Sequence, residues 1–150
     1  MKITSPVFTD GGILPSRYTC DGQSISPPIE WRDAPNNTKS FALIYDDPDA
    51  PSGTWDHWVL YNLPAVTKSL EEDIKILPKG TKIGMNSWPH ANYGAPCPPN
   101  GEHRYIFHLY ALDTMLNLSE DVTSKQLRDA MQGRILDTAI LLGRYKRNKT

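Results

Sequence analysis

The chain is 150 residues long, 39% hydrophobic and 22% charged, with 16 Lys and Arg against 17 Asp and Glu and a formal net charge of −1. This length suits one domain with a core of its own, spanning 1–150, and the charge balance excludes a generally basic nucleic-acid binder and an acidic disordered chain. Ten glycines and thirteen prolines argue against a helical bundle, because proline is kept out of helix interiors. In chain order, the N-terminal six residues carry one Lys and no apolar stretch of the kind a secretory signal needs. Turn signals then crowd the first third: Asp10-Gly11-Gly12, Leu14-Pro15, Asp21-Gly22, Pro27-Pro28 and Pro35-Asn36-Asn37. They leave room only for short strands, such as 6–9 and 29–31.

Three longer strands are expected at 40–45, 57–63 and 105–112. The first ends at an Asp-Asp-Pro stop. In the second, alternation puts Val59, Tyr61 and Leu63 on one face and Trp58, Leu60 and Asn62 on the other, with His57 pointing opposite to Asp56 and Trp58. In the third, Tyr105, Phe107, Leu109 and Ala111 alternate with Ile106, His108, Tyr110 and Leu112. Both faces are largely apolar, as in strands at the middle of a layered body.

A helix is expected near 124–136. Thr123 and Gln126 have the spacing of a capping box, and Val122 and Leu127 that of a hydrophobic staple. Leu127, Ala130, Met131 and Leu136 supply its apolar stripe, although Gly133 weakens its end. A last strand is expected over 138–146. Many strands and little helix predict a mostly β fold of two packed sheets.

The longest apolar runs, 41–45 and 139–142, fall far short of the about 20 residues of a membrane-spanning helix, so no transmembrane segment and a cytoplasmic address are expected. Cys20 and Cys97 are distant and form no C-x-x-C pair. In a reducing cytosol such thiols are expected to be free rather than bridged. The short basic run of Arg144, Lys146, Arg147 and Lys149 is an ordinary solvated terminus, and no nucleic-acid partner is expected. The four tryptophans are compatible with a homodimer.

Polar residues gather at three strand ends: Asp47 and Asp49 in a proline-stiffened turn with Pro51, His57 between tryptophans, and His103 with Tyr105 after the proline-rich stretch from Pro96 to Pro99. Should these ends converge, imidazole N–H and phenol O–H groups would donate to a compact anion while the carboxylates orient the imidazoles. The same two His and two Asp allow an alternative, a metal-assisted hydrolase. Against it, no H-x-H or H-E-x-x-H spacing is present, and there is neither a G-x-S-x-G elbow nor a phosphate loop.

With these stretches in view, the sequence resembles the phosphatidylethanolamine-binding protein family, also called the Raf kinase inhibitor protein family, in its bacterial and archaeal branch. The residues that carry the resemblance are Tyr18-Thr19-Cys20-Asp21-Gly22, Ser26-Pro27-Pro28-Ile29-Glu30-Trp31, Asp47-Pro48-Asp49-Ala50-Pro51 and His57-Trp58 through Asn62-Leu63-Pro64. They continue with Gly94-Ala95-Pro96-Cys97-Pro98-Pro99 and Gly101-Glu102-His103-Arg104-Tyr105, leading to Tyr110-Ala111-Leu112-Asp113. The chain departs from the bacterial pattern at Ser87, Pro89 and Ala95.

The resemblance implies a large antiparallel sheet packed on a smaller one, with short helices at the periphery. It also implies an anion cavity at the strand ends, lined by Asp47, Asp49, His57, His103 and Tyr105 with a rim of Pro51, Pro96 and Pro99. Such a cavity takes phosphate-like or carboxylate groups, from a phospholipid headgroup or a phosphorylated partner. Several members inhibit kinases or proteases. The expectation is a non-catalytic binding protein without cofactor or metal.

Overall fold

Ser40–Asp47 forms a strand buried at every position, and the other elements are arranged around it. The computed structural model describes residues 1–119 and 121–147, so Lys149 of the basic run lies outside the described residues. In chain order the strands are β1 (Lys2–Thr4), β2 (Gly12–Ile13), β3 (Ile29–Arg32), β4 (Ser40–Asp47) and β5 (Trp55–Pro64). They continue with β6 (Ser69–Leu70), β7 (Lys82–Ile83), β8 (His103–Leu112) and β9 (Ile135–Tyr145), and the helix α1 (Ser124–Met131) precedes β9. A 3-10 turn occupies Ser16–Tyr18.

The larger sheet has the order β2-β9-β8-β4-β5-β7, and β1-β3-β6 form the smaller one. All pairings are antiparallel except the short β2–β9 contact, which is parallel. The two sheets share one apolar layer, in which Ile3, Ile29 and Trp31 of the smaller sheet meet Phe41, Leu43, Leu60, Phe107 and Leu109 of the larger. The mostly β architecture of a large sheet on a smaller one is thus as expected. On its other face the larger sheet presents Ala42, Ile44, Val59 and Tyr61 to Val122, Leu127 and Met131. An eight-residue helix is marginal by itself; burying Leu127 and Met131, worth about 2 kcal/mol each, holds it in place.

The capping box is formed: Gln126 N–H donates to Thr123 Oγ1 at 3.2 Å, and Thr123 N–H donates to Gln126 Oε1 at 3.0 Å. The helix nevertheless stops at Met131 and not at 136. Gly133 lies at φ +77°, a left-handed conformation that ends helices, and Leu136 belongs to β9. That strand accordingly begins at Ile135, three residues earlier than expected. Residues 6–9 form no strand; the first strand is β1, which pairs with β3 with Lys2, Ile3 and Thr4 opposite Arg32, Trp31 and Glu30. β4 runs two residues past its expected end, carrying Asp46 and Asp47 into the sheet.

Candidate functional site

The β4–β5 pairing slips at the end that bears the polar residues. Tyr45 is opposite Trp58 and Asp46 is opposite Asp56, so His57 is an extra residue with no partner across the ladder. Such a β-bulge re-aims the side chain it carries. Here the His57 ring lies 5.8 Å from Tyr45 and 5.4 Å from Tyr105, while Trp58 packs in the same apolar layer as those two tyrosines. Strict alternation had placed His57 and Trp58 on opposite faces; the bulge puts both on one. A second slip between Phe41 and Leu43 moves Leu63 into the layer between the sheets, away from Val59 and Tyr61.

At this end a cavity of about 240 Å³ opens between the β4–β5 loop and the proline-rich segment before β8. Asp47, Pro51, His57, Pro99, His103 and Tyr105 line it, so the structure brings these candidates together. Asp49 and Pro96 do not line it. Trp55, Trp88 and Cys97 do, and none of the three was among the candidates. Trp55 stands two residues from His57 on β5, which begins two residues before the expected start at 57; carrying the alternation back those two positions would have found it. Trp88 sits on no predicted element, and nothing in its spacing announces it.

Asp47 is the hub. It is buried, its Oδ2 accepts from His103 Nδ1 at 2.6 Å, and its Oδ1 accepts from the backbone N–H of Asp49 at 2.8 Å. The other ring nitrogen of His103 lies 3.1 Å from the Asn100 carbonyl. With an acceptor at each nitrogen, His103 is fully engaged inside the protein. Asp49 turns outward instead: it takes the Arg104 side chain at 2.8 and 3.0 Å and the Arg104 backbone N–H at 2.9 Å. This clamp holds its carboxyl down to about 2, and it fastens the β4–β5 loop to β8.

His57 is bonded differently. Its Nδ1–H donates to the Gly94 carbonyl at 2.7 Å, and Gly94 N–H returns a bond to the His57 carbonyl at 2.8 Å. Among the described residues no hydrogen bond reaches Nε2, the nitrogen left for the cavity. Burial pushes the His57 imidazole below its ordinary value, so near neutral pH this nitrogen is a lone-pair acceptor. Tyr105 stays a phenol, since burial first and then the charge of Asp47 raise it. No Lys or Arg is among the described lining residues.

The outer wall depends on one tight approach. A Cβ at Gly94 would lie 2.1 Å from the Trp88 ring, which itself stands edge-on to His57 at 5.0 Å. Gly94→Ala is therefore expected to displace Trp88 from the wall and to cost about 2 kcal/mol as overpacking. A shifted tryptophan emission maximum with a lowered urea midpoint checks it, and wild-type values in both would refute it. Ser87, one of the departures, exchanges two bonds with Asp56: its N–H donates to the Asp56 carbonyl at 2.9 Å, and its Oγ accepts from Asp56 N–H at 2.8 Å. Ala95 is not at positive φ, so replacing a glycine there brings no backbone strain.

Cys20 and Cys97, expected to be free, form a disulfide. They are 77 positions apart in sequence but their Cα atoms are 5.3 Å apart in space, within the range a bridge spans. Only the folded chain shows that proximity. Cys20 N–H also donates to the Pro96 carbonyl at 3.0 Å, which is the part Pro96 plays in place of lining the cavity.

With this geometry in hand, the comparisons with known proteins are specific. The family model for phosphatidylethanolamine-binding protein matches residues 4–146. The chain belongs to the phosphatidylethanolamine-binding protein family. It is 47% identical to a UPF0098 protein of Methanothermobacter thermautotrophicus, over 98% of this chain and 99% of the relative. It is 46% identical to a UPF0098 protein of Aquifex aeolicus, over 99% and 90% respectively. Among solved structures it is similar to a phosphatidylethanolamine-binding protein homolog from Chlamydia trachomatis, with TM-score 0.93 and 41% identity over 98% of this chain and 97% of the other. It is also similar to E. coli YbcL, described as a member of the mammalian family, with TM-score 0.91 and 29% identity over 98% of each chain. Membership in this family and the two-sheet fold agree with each other. Among the described residues, no helix is long and apolar enough to cross a membrane.

Proposed function

We propose that this member of the family is a non-catalytic binding protein whose cavity holds a phosphate-like or carboxylate group at the end of a larger molecule. The observation that carries the proposal is His57. Its Nδ1–H is fixed on Gly94 and its Nε2 is left to the cavity beside the Tyr105 phenol. The phenol donates to the bound anion, and Nε2 either accepts the proton that a monoanionic phosphate brings or takes one up and donates in turn. Asp47 and His103, occupied with each other, shape the wall.

With no lining Lys or Arg among the described residues, a bare anion binds weakly, near a dissociation constant of about 1 mM. The remainder of the ligand then supplies most of the affinity through the apolar rim of Trp88, Pro51 and Pro99. The family description supports a phospholipid headgroup, and a phosphorylated side chain has the same chemistry; a kinase- or protease-inhibiting role would use the same rim. The hydrolase alternative lacks support, since no group of three His, Cys, Asp or Glu side chains able to hold a metal ion gathers among the described residues.

The test is proton linkage. Burial holds His57 below its ordinary value in the free protein, and a bound anion stabilises its charged form, so binding takes up a proton. Affinity for acetate should therefore rise as pH falls through about 6.5 and level off below the depressed value of the free protein. Acetate separates this from the ligand's own titration, because a carboxylate carries no proton to lose between about pH 6 and 8. NMR shift titration at several pH values measures it. A flat acetate affinity across that interval would remove His57 from the contact.

A further inference from the structure

We infer that Cys97 is a thiol-exchange site built into the cavity wall, where a small thiol entering the cavity attacks the Cys20–Cys97 bridge and becomes attached. Cys97 lines the cavity and is exposed, whereas Cys20 is half-buried behind it. Thiol attack goes to the sulfur that can be reached, so Cys97 forms the new bond and Cys20 leaves. The steps balance without any added oxidant or reductant. The thiol gives up its proton, its sulfur bonds to Cys97 Sγ, and the bond between the two cysteine sulfurs breaks. The electron pair passes to the Cys20 sulfur, which takes a proton and ends as a free thiol. One disulfide has replaced another.

One feature of the site suits this chemistry. His57 lines the same cavity with Nε2 unbonded among the described residues, in position to take the proton of the incoming thiol, and it is the thiolate that reacts. The bridge is the covalent link between this proline-rich segment and Cys20, and an adduct on Cys97 fills the space that an anion would occupy.

Ligand and thiol are thus competitors, and that competition is the part of the inference resting on the proposed anion site. Mercaptoacetate, a small thiol bearing a carboxylate, is the probe. Oxidised protein is exposed to it briefly, free thiols are alkylated, and the adducts are located by peptide mass mapping. Mercaptoacetate is expected on Cys97 and the alkyl group on Cys20. Inorganic phosphate at ten times its dissociation constant should slow the reaction by about tenfold, since only unoccupied protein reacts. A parallel NMR titration establishes whether phosphate binds.

Mercaptoacetate found on Cys20, or an unchanged rate while NMR shows phosphate bound, overturns the exchange site and leaves the binding proposal standing. Absence of phosphate binding by NMR overturns the binding proposal, and the location of the adduct alone then decides for or against Cys97.

Discussion

Replacing His103 by Ala is expected to cost about 4 kcal/mol of stability, more than replacing its partner Asp47 by Asn, which should cost about 2 kcal/mol. The asymmetry follows from what each change leaves behind. Both side chains are buried, at 8% and 5% exposure, and they meet at 2.6 Å. Without His103, the Asp47 carboxylate stays in the sheet interior with two neutral donors, the Asp49 backbone N–H and the neighbouring Tyr105 phenol, and an uncompensated buried charge is expensive. Asn at position 47 keeps an oxygen for Asp49 N–H and exchanges a charge-assisted bond for a neutral one. The double variant, His103→Ala with Asp47→Asn, should therefore be more stable than His103→Ala alone, because the second change removes the stranded charge. Urea unfolding of the four proteins at neutral pH gives the cycle. A double variant less stable than His103→Ala would show that the pair is held for reasons other than charge compensation.

The same pair shows where sequence reasoning reaches and where it stops. Strand β4 was legible as a compact apolar run ending at an Asp-Asp-Pro stop, β5 and β8 because each is long enough for alternation to declare itself, and β8 kept that alternation along its full length. β2, β6 and β7 have two residues each, too few to carry any period. The helix start was legible from the chemistry of Thr123 and Gln126, whereas its end depended on Gly133 adopting positive φ, which composition permits and does not require.

Within the site, the resemblance of motifs along the chain marked Asp47, His57, His103 and Tyr105 as candidates, and the fold brings them to one cavity. What the sequence withheld is everything set by the bulge and by long-range contact. The extra residue at His57 decides which way that ring faces. The link of Asp47 to His103 spans 56 positions, and the bond of His57 to Gly94 spans 37. Trp88 enters the wall because position 94 has no side chain. These are properties of the assembled backbone, and no local pattern encodes them.

Reducing the Cys20–Cys97 bridge is expected to lower the unfolding free energy by about 4–5 kcal/mol, the chain-entropy value for a loop of this span. With a separation of 77, the bridge constrains about half the chain in the unfolded state. In the folded state the same region is anchored without it. Thr19 is fully buried, its Oγ1 donates to the Ser16 carbonyl at 2.8 Å and accepts from Asp21 N–H at 3.2 Å, and Tyr93 Oη donates to the Tyr18 carbonyl at 3.0 Å. Most of the loss therefore arises from the greater freedom of the unfolded chain and not from native contacts. This has a second signature: an unfolded chain released from the cross-link exposes more surface, so the urea m-value should rise as the midpoint falls. Unfolding curves with and without a dithiol reductant measure both quantities. A midpoint drop with an unchanged or smaller m-value would assign the bridge's contribution to native-state packing around Cys97. Since a typical domain has only about 5–15 kcal/mol to lose, a bridge of this span separates a firmly folded protein from a marginal one, and a thiol that reaches Cys97 acts on the stability of the whole fold as well as on the cavity wall.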